Sequence, residues 1–159
     1  MNAAERQGLI ARYAKGPALL RQTLAQVPPQ MMQWRPAPGK WSVHEIIVHC
    51  ADSETNAHMR IRYLVAEAAP MIIGYDQDAW ARLLDYHALP IEPALATIEA
   101  VRANTGPFLQ RLSDADWQKT GRHTESGHYS AIDWLNTYAE HLEVHSRQIE
   151  RNVAAWGKR

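Results

Sequence analysis

Cysteine is almost absent from this chain, and its scarcity excludes two classes of protein. Cys50 is the single cysteine among 159 residues, so neither an internal disulfide nor a cysteine-rich zinc site can form within one chain. A chain of this length buries roughly 68–70% of its unfolded surface when it folds as one domain, which we expect to span residues 1–159. Because such a core needs no cross-link, we expect any bound metal to serve function rather than folding.

An excess of charge of either sign is also missing. The chain has 17 Lys and Arg against 17 Asp and Glu, with a sequence pI near 7.1. A neutral protein has no overall field that attracts phosphates or anionic lipids, so we predict no nucleic-acid partner and no membrane partner. No apolar run approaches the ~18 residues that span a bilayer, and residues 1–16 lack the apolar segment of a signal peptide. Together with the lone cysteine, these absences favour a cytoplasmic location.

Several catalytic motifs are absent as well. The sequence has no P-loop, no G-x-G-x-x-G, no paired C-x-x-C and no nucleophile-elbow serine. The segment from His141 to His145 differs from the H-E-x-x-H motif of zinc proteases. Its Glu143 follows His141 by two positions, about 200° around a helix, and cannot serve as the base of that motif.

Helical spacing of apolar residues dominates what is present, which predicts an all-α four-helix bundle. No series of alternating apolar and polar residues indicates strands, so we interpret residues 113–129 as a loop with a short turn at 114–118. Gly16 and Pro17 predict a kink or break in the first helix. The predicted long helices span about residues 3–26, 42–69, 92–112 and 130–155, with a short extra helix near 76–86.

Two helix starts are marked by their sequence. Ser42 with Glu45, and Ser130 with Asp133, have the spacing of a capping box, in which two side chains satisfy the free amides of the first turn. The connection over residues 34–41 carries Pro, Gly and two Trp, so we expect an irregular segment whose tryptophans pack on the bundle.

Two of the eight histidines lie on a core stripe of the last helix. His141 and His145 are four residues apart, about 40° from each other around the axis, on the same apolar arc as Trp134, Tyr138 and Ile149. A buried imidazole without a partner costs roughly 1–3 kcal/mol, so something must satisfy both rings. A shared metal ion would do so, and so would neighbouring side chains or water.

A third histidine, His49, lies at the flank of the buried stripe of the second helix. Two imidazoles from one helix and one from another form the three-ligand pattern of a catalytic metal site, with open positions left for water or substrate. Asp52, one turn after His49, could be a fourth ligand, could orient His49, or could be a solvated surface carboxylate. Asp52 and Glu54 are also the candidates for a general base, by their proximity in sequence.

The remaining histidines and Cys50 have weaker claims. We interpret Cys50, within a predicted core stripe, as a buried inert thiol rather than a nucleophile or ligand. His123 and His128 flank the loop before the last helix and could line the mouth of the site. The histidines outside the proposed ligand set are His44, His58, His87, His123 and His128.

Two segments of the chain resemble a known family. They are residues 40–54, KWSVHEIIVHCADSE, and residues 138–150, YAEHLEVHSRQIE, and the likeness extends to RPAPG at 35–39, GYD at 74–76 and the segment around Trp80. The chain resembles the DinB-like superfamily, and within it the YfiT type of metal-dependent hydrolases.

This resemblance implies a bundle in up-down-down-up order, usually dimeric, with one divalent ion held by three histidines. Matched residue by residue, those ligands fall on His49, His141 and His145, and the ion is typically zinc or nickel. Members of the superfamily also include thiol-dependent enzymes that use bacillithiol, mycothiol or glutathione.

Three functions follow as hypotheses. In the leading one the metal lowers the pKa of a bound water toward ~7, or polarises a carbonyl, for hydrolysis of a small molecule. In the second, a thiol S-transferase, the metal activates the thiolate of a low-molecular-weight thiol. In the third, the protein is a non-catalytic dimeric protein of stress response or interaction, in which metal helps to hold the helices together.

Overall fold

A computed structural model describes residues 1–158, and helices account for most of them. Four long helices are joined by short helices and by two-residue to four-residue strands. Single 3₁₀ turns occupy Pro29–Met31 and Tyr86–Ala88. The elements are α1 (Ala3–Leu24), α2 (Val43–Ala66), β1 (Met71–Ile72), α3 (Gln77–Leu83), α4 (Ile91–Gln110), α5 (Asp114–Trp117), β2 (Thr120–His123), β3 (Gly127–Ser130) and α6 (Ala131–Trp156).

Both predicted capping boxes are confirmed at the starts of α2 and α6. The Ser42 hydroxyl accepts the backbone amide of Glu45, whose carboxylate accepts the amide of Ser42, and Ser130 and Asp133 repeat the arrangement. The end of α2 was predicted three residues too late, because the backbone is already extended at Glu67.

Of the predicted kink or break in the first helix, the break is wrong. α1 continues through Gly16 and Pro17, and α4 likewise continues through Pro107. A proline removes one backbone donor and crowds the carbonyl four residues earlier, but the packed neighbours of a bundle helix can hold the remaining turns in place. The short helix expected near residues 76–86 is present as α3, followed by the 3₁₀ turn.

The packing of the long helices places α1 and α2 across the bundle from each other. α1 packs on α6 and α4, and α2 packs on the same two helices. Arg6 of α1 pairs with Asp114, just beyond α4, while Arg21 pairs with Glu99 earlier in α4, so α1 and α4 are antiparallel.

The direction of α2 completes the topology. Its Glu54 and His58 bond to Arg102 and Thr105 of α4 in the same order along both helices, so these two helices are parallel. α6 runs opposite to α2, since Glu54 contacts His141 whereas the later Ala57 contacts the earlier Trp134. The expected up-down-down-up bundle is therefore confirmed.

A small sheet occupies part of the segment expected to be loop. β1 pairs in parallel with β2, and β2 pairs antiparallel with β3, with Met71 opposite Arg122 and Thr120 opposite Ser130. These strands are too short to show an alternating pattern, and β1 is 48 positions before β2, which is why local sequence did not reveal them. The short turn predicted at 114–118 is confirmed as α5.

The core has two main apolar clusters, one at each end of the bundle. The cluster toward the start of α6 is rich in aromatic rings, including Tyr13, Trp117 and Trp134. The other contains Leu20, Val43, Ile46, Leu142 and Ile149, together with the buried Cys50, and Trp34 and Trp41 pack against it. The buried thiol and the packed tryptophans are thus confirmed. None of the helices in the described part of the chain is long and apolar enough to cross a membrane.

Candidate metal centre

Three histidines from two antiparallel helices converge between the apolar clusters. His49 of α2 faces His141 and His145 of α6, and one ring nitrogen from each lies within 4.8 Å of the other two. The ring centroids are 4.9 Å apart for His49 and His145 and 4.7 Å apart for His141 and His145. The four-residue spacing on α6 puts both rings on one face, and α2 supplies the third from the opposite side.

Burial keeps the rings of His49 and His145 neutral. Burial, followed by the proximity of His145 and His141, lowers the pKa of His49 to about 2. Burial and the proximity of His141 lower the pKa of His145 to about 4. A neutral imidazole keeps a lone pair that can bind a metal ion, so near pH 7 these two rings are ligands rather than cations.

The hydrogen bonds of the rings leave nitrogens free for an ion. His141 Nδ1 donates to Glu54 Oε1 at 2.8 Å, and His145 Nδ1 donates to Gln148 Oε1 at 2.9 Å, so the free nitrogen of each ring is Nε2. His49 Nδ1 is buried and has no hydrogen-bond partner in residues 1–158. An unpaired buried nitrogen is costly, and three imidazole ligands suit a divalent transition metal, so the residues present fit such an ion.

A buried ion pair stands behind His141. Glu54 is fully buried, and its two carboxylate oxygens accept from Arg102 Nε at 2.9 Å and Arg102 Nη2 at 2.6 Å. Burial alone would raise the pKa of Glu54, but the charge of Arg102 and the hydrogen bonds from His141 and Arg102 outweigh it and lower the pKa. A carboxylate that holds the far nitrogen of a histidine is the usual support of a metal ligand.

A polar cleft of about 500 Å³ adjoins the cluster. Trp41, whose ring lies 4.7 Å from that of His49, and Gln148, which bonds His145, belong both to the cleft wall and to the surroundings of the histidines. The cleft therefore lies beside the three rings, separated from them by Trp41 and Gln148 rather than lined by the histidines themselves. Its other lining residues are Gly39, Lys40, Tyr75, Asp76, Gln77, Asp78 and Glu125.

Comparison with known proteins assigns the family. The DinB superfamily model matches residues 12–149, more than half of the chain. This chain belongs to the DinB superfamily. The predicted resemblance is thereby confirmed for the family and for the bundle.

Similar proteins are described as candidate metal-dependent hydrolases. One from Oceanobacillus iheyensis is 36% identical over 133 residues, which cover 84% of this chain and 77% of the relative. Another from Geobacillus kaustophilus is 28% identical over 148 residues, 92% of this chain and 83% of the relative. The solved structure of YfiT from Bacillus subtilis, described as having an unusual four-helix bundle topology, superimposes with a TM-score of 0.91 at 22% identity. The match covers 99% of this chain and 90% of that one. At this identity the likeness to YfiT shows the fold.

Asp52 and Glu54, the predicted base or orienting residues of this DinB-superfamily chain, have different surroundings. Glu54 accepts hydrogen bonds from Arg102 and His141, which suits an orienting role, and its role as a general base stays a prediction. Asp52 Oδ2 accepts the hydroxyl of Tyr86 at 2.5 Å. The structure therefore ties Asp52 to the 3₁₀ turn after α3, and its catalytic role stays a prediction.

The other five histidines lie outside the three-histidine cluster. His44 bonds the carbonyl of Leu89, His58 bonds Thr105, and His87 bonds Ser42. Neither His123 nor His128 is among the residues that line the polar cleft, so their place at the mouth of the site stays a prediction. Among the described residues, that loop contributes Glu125 to the cleft. The His123 ring is buried and accepts the backbone amide of Glu125 in the hairpin turn.

Sequence reasoning missed three residues that contact the histidines or their hydrogen-bond partners: Trp41 as a cover for His49, Gln148 as a partner of His145, and Arg102 behind Glu54. A signal for Arg102 was present, because it continues the buried stripe of α4 at three- and four-residue steps. An arginine on such a stripe needs a buried acid, and Glu54 occupies a buried position on the neighbouring helix.

Proposed function

We propose that this protein is a metal-dependent hydrolase of a small polar molecule, with a zinc or nickel ion held by His49, His141 and His145. The observation that carries the proposal is the convergence of one nitrogen from each ring within 4.8 Å. Three protein ligands are the usual number at a catalytic zinc, because the remaining positions stay open for water and substrate. When bound, such an ion acidifies a coordinated water or polarises a carbonyl.

The protein's own residues define how the site would work. Glu54 and Gln148 fix the orientation of His141 and His145 through their Nδ1 atoms. Trp41 lies against the ring of His49 and shields it from bulk water on that side. In the cleft, Lys40 and the acidic side chains Asp76, Asp78 and Glu125 are placed to bind polar groups of a substrate.

Relatives support the reaction class. Those from Oceanobacillus iheyensis and Geobacillus kaustophilus carry names that describe metal-dependent hydrolases, and both align over most of this chain. The names support hydrolysis as the reaction class, and the cleft supports a small molecule over a macromolecule as the substrate.

Metal analysis of protein purified without a His tag tests the site. We expect about one zinc or nickel per chain in the wild type and loss of the ion in His141→Ala, since two imidazoles bind far more weakly than three. His58→Ala is the matched control, because His58 lies on α2 outside the cluster and bonds Thr105. A folded wild type that takes up neither ion at micromolar concentration would contradict the proposal.

The reaction is tested on the metal-loaded protein with a panel of small esters, amides and lactones. Hydrolysis that disappears on chelation and in His141→Ala, and returns on adding the ion to the wild type, is the expected result. A parallel series with low-molecular-weight thiols and an electrophile tests the thiol S-transferase hypothesis. Metal-dependent consumption of thiol without hydrolysis would replace the hydrolase proposal and leave the metal centre intact.

A metal-binding protein without either activity would match the non-catalytic hypothesis. In that case the ion should raise the melting temperature strongly, because its sphere would be closed and chiefly structural. The homodimer and the cytoplasmic location stay predictions. Sedimentation at micromolar concentration tests the first, and cell fractionation the second.

A further inference from the structure

We infer that Gly16, Pro17 and Arg102 act together as a positioning unit for His141, so that an irregularity in α1 helps to hold a ligand on α6. The inference rests on the proposed metal centre. Gly16, Pro17 and Arg102 contact neither the cleft nor the three rings. The inference explains why a glycine and a proline lie side by side inside α1.

Pro17 supplies the acceptor. In a regular helix the carbonyl of Tyr13 accepts the amide of residue 17, but proline has no amide hydrogen and its ring crowds that carbonyl. Arg102 Nη1 donates to this carbonyl at 2.5 Å. The helix bond that Pro17 cannot make is thus replaced by one from α4.

Gly16 supplies the space. A Cβ atom at this position would lie 2.5 Å from Arg102 Nη1, 3.1 Å from Leu142 Cδ1 and 3.2 Å from Arg102 Cζ. Real Cβ atoms do not approach a guanidinium so closely, so any larger residue would push Arg102 away. Glycine is therefore required here for close approach rather than for backbone conformation.

Arg102 holds the carboxylate of Glu54 in one position. Besides the Tyr13 carbonyl, its guanidinium donates to both oxygens of Glu54 and, at 3.0 Å, to the carbonyl of Tyr138. Its carbon also lies 4.1 Å from the centre of the Tyr13 ring. One side chain of α4 therefore binds the other three long helices at one level, and Glu54 cannot rotate without breaking several of these bonds.

The fixed carboxylate of Glu54 in turn orients the ring of His141. An ionised carboxylate only accepts hydrogen bonds, so the contact at 2.8 Å requires a proton on His141 Nδ1. Its Nε2 is then the atom with a free lone pair, directed away from Glu54. A buried ion pair is weak evidence for stability, since apolar residues of similar volume often replace one without loss. Orientation of His141 gives this pair a role beyond stability.

The first test needs no metal. In metal-free, ¹⁵N-labelled protein at pH 7.5, long-range ¹H–¹⁵N spectra distinguish the two neutral tautomers of a histidine. We expect His141 to carry its proton on Nδ1 in the wild type and to show a mixture of both tautomers in Glu54→Gln, whose amide can also donate. A wild-type ring protonated on Nε2 would overturn the inference, whether or not the protein binds metal.

The second test measures metal affinity by competition with a chromophoric chelator, for zinc and for nickel. We expect Arg102→Lys to bind about 10–100-fold more weakly, because an ammonium cannot make the same forked contacts. Gly16→Ala should also bind the metal more weakly than the wild type. Pro17→Ala should lower the metal affinity by a smaller factor, because the new backbone amide of residue 17 competes with Arg102 for the Tyr13 carbonyl. Arg12→Lys and Pro107→Ala are the matched controls and should bind like the wild type.

Stability is measured in parallel for every variant. Variants that melt cooperatively, yet bind metal as tightly as the wild type, would show a merely structural role and overturn the inference. A wild type that binds no metal would defeat the proposed function instead, and the tautomer measurement would still decide whether Glu54 positions His141.

Discussion

Two arginine–glutamate pairs in this bundle have nearly the same geometry and opposite surroundings. Arg12 Nε and Nη2 donate to the two oxygens of Glu143 at 2.9 and 2.6 Å, and Arg102 Nε and Nη2 donate to the two oxygens of Glu54 at 2.9 and 2.6 Å. The Arg12 and Glu143 side chains are 43% and 23% exposed, whereas those of Arg102 and Glu54 are 1% and 0% exposed.

The difference between the pairs lies in what happens when one partner is lost. At the surface, water solvates the charge that remains, and such pairs contribute about 0–1 kcal/mol to the free energy of unfolding. In the interior the remaining charge has no solvent, so losing one partner costs roughly 3–5 kcal/mol. Geometry alone therefore says little about energy, and burial decides it.

The largest expected effect is that of Arg102→Met, which leaves the Glu54 carboxylate buried without its cation. We expect the free energy of unfolding to fall by about 3–5 kcal/mol, measured by urea denaturation followed by circular dichroism. The double variant Arg102→Met with Glu54→Gln should lose less than the sum of the single changes, since neither charge remains. Additive losses, or a fall below 1 kcal/mol for Arg102→Met, would remove the distinction between the two pairs.

Two glycines of α1 give the next test. Gly16→Ala should destabilise by about 1–3 kcal/mol, because the added Cβ would lie 2.5 Å from Arg102 Nη1. Gly8→Ala is the matched control in the same helix, where an added Cβ meets nothing within 4 Å. That change should stabilise by about 0.5–1 kcal/mol, because alanine favours the helix. Equal effects at both positions would mean that Arg102 readily moves aside.

A third pair, Arg35 with Glu45, lies between the two extremes, since the Arg35 side chain is 54% exposed and that of Glu45 is 3% exposed. Burial alone would raise the pKa of Glu45, but its hydrogen bonds with Arg35 and Ser42 lower the pKa from 4.5 to about 2. A folded-state pKa below the ordinary value means that the ionised carboxylate stabilises the fold. That contribution is complete above pH 4.5 and is lost as the pH falls toward 2.

We expect the stability difference between wild type and Glu45→Gln to be about 1 kcal/mol at pH 6 and to shrink as the pH falls below 4.5. Denaturation at a series of pH values measures it. In an Arg35→Gln background the same difference should be smaller and should vary less with pH. A difference that grows on acidification would contradict the direction of the shift.

The smallest expected effect is that of Arg12→Met at the surface. We expect a change of about 0.2–1 kcal/mol, reduced further in 0.5 M salt, because solvent and ions already screen this pair. Unfolding at low and high salt measures it, with Arg12→Lys as the charge-preserving control. A loss comparable with that of Arg102→Met would show that forked geometry, rather than burial, sets the energy of these pairs.

The parts of the fold that depend on local order were predicted well from the sequence. Capping boxes at Ser42 and Ser130 gave the starts of α2 and α6, because three residues suffice to satisfy the free amides of a first turn. The hairpin β2–β3 was missed because each of its strands has only four residues, and β1 was missed because it has two residues and pairs with residues about 50 positions later. The helix through Pro17 was also missed, because its stability comes from packing against other helices.

The candidate site divides in the same way. The sequence by itself determined that His141 and His145 share one face of a helix, since the helical period requires it, and it made His49 a candidate third partner. The family resemblance implied the order of the helices, but only the tertiary structure decided that the three rings meet at one level of α2 and α6, and that Arg102 binds Glu54 behind His141. Periodicity is a property of each helix alone, whereas the meeting of rings and charges depends on how four helices pack around one another.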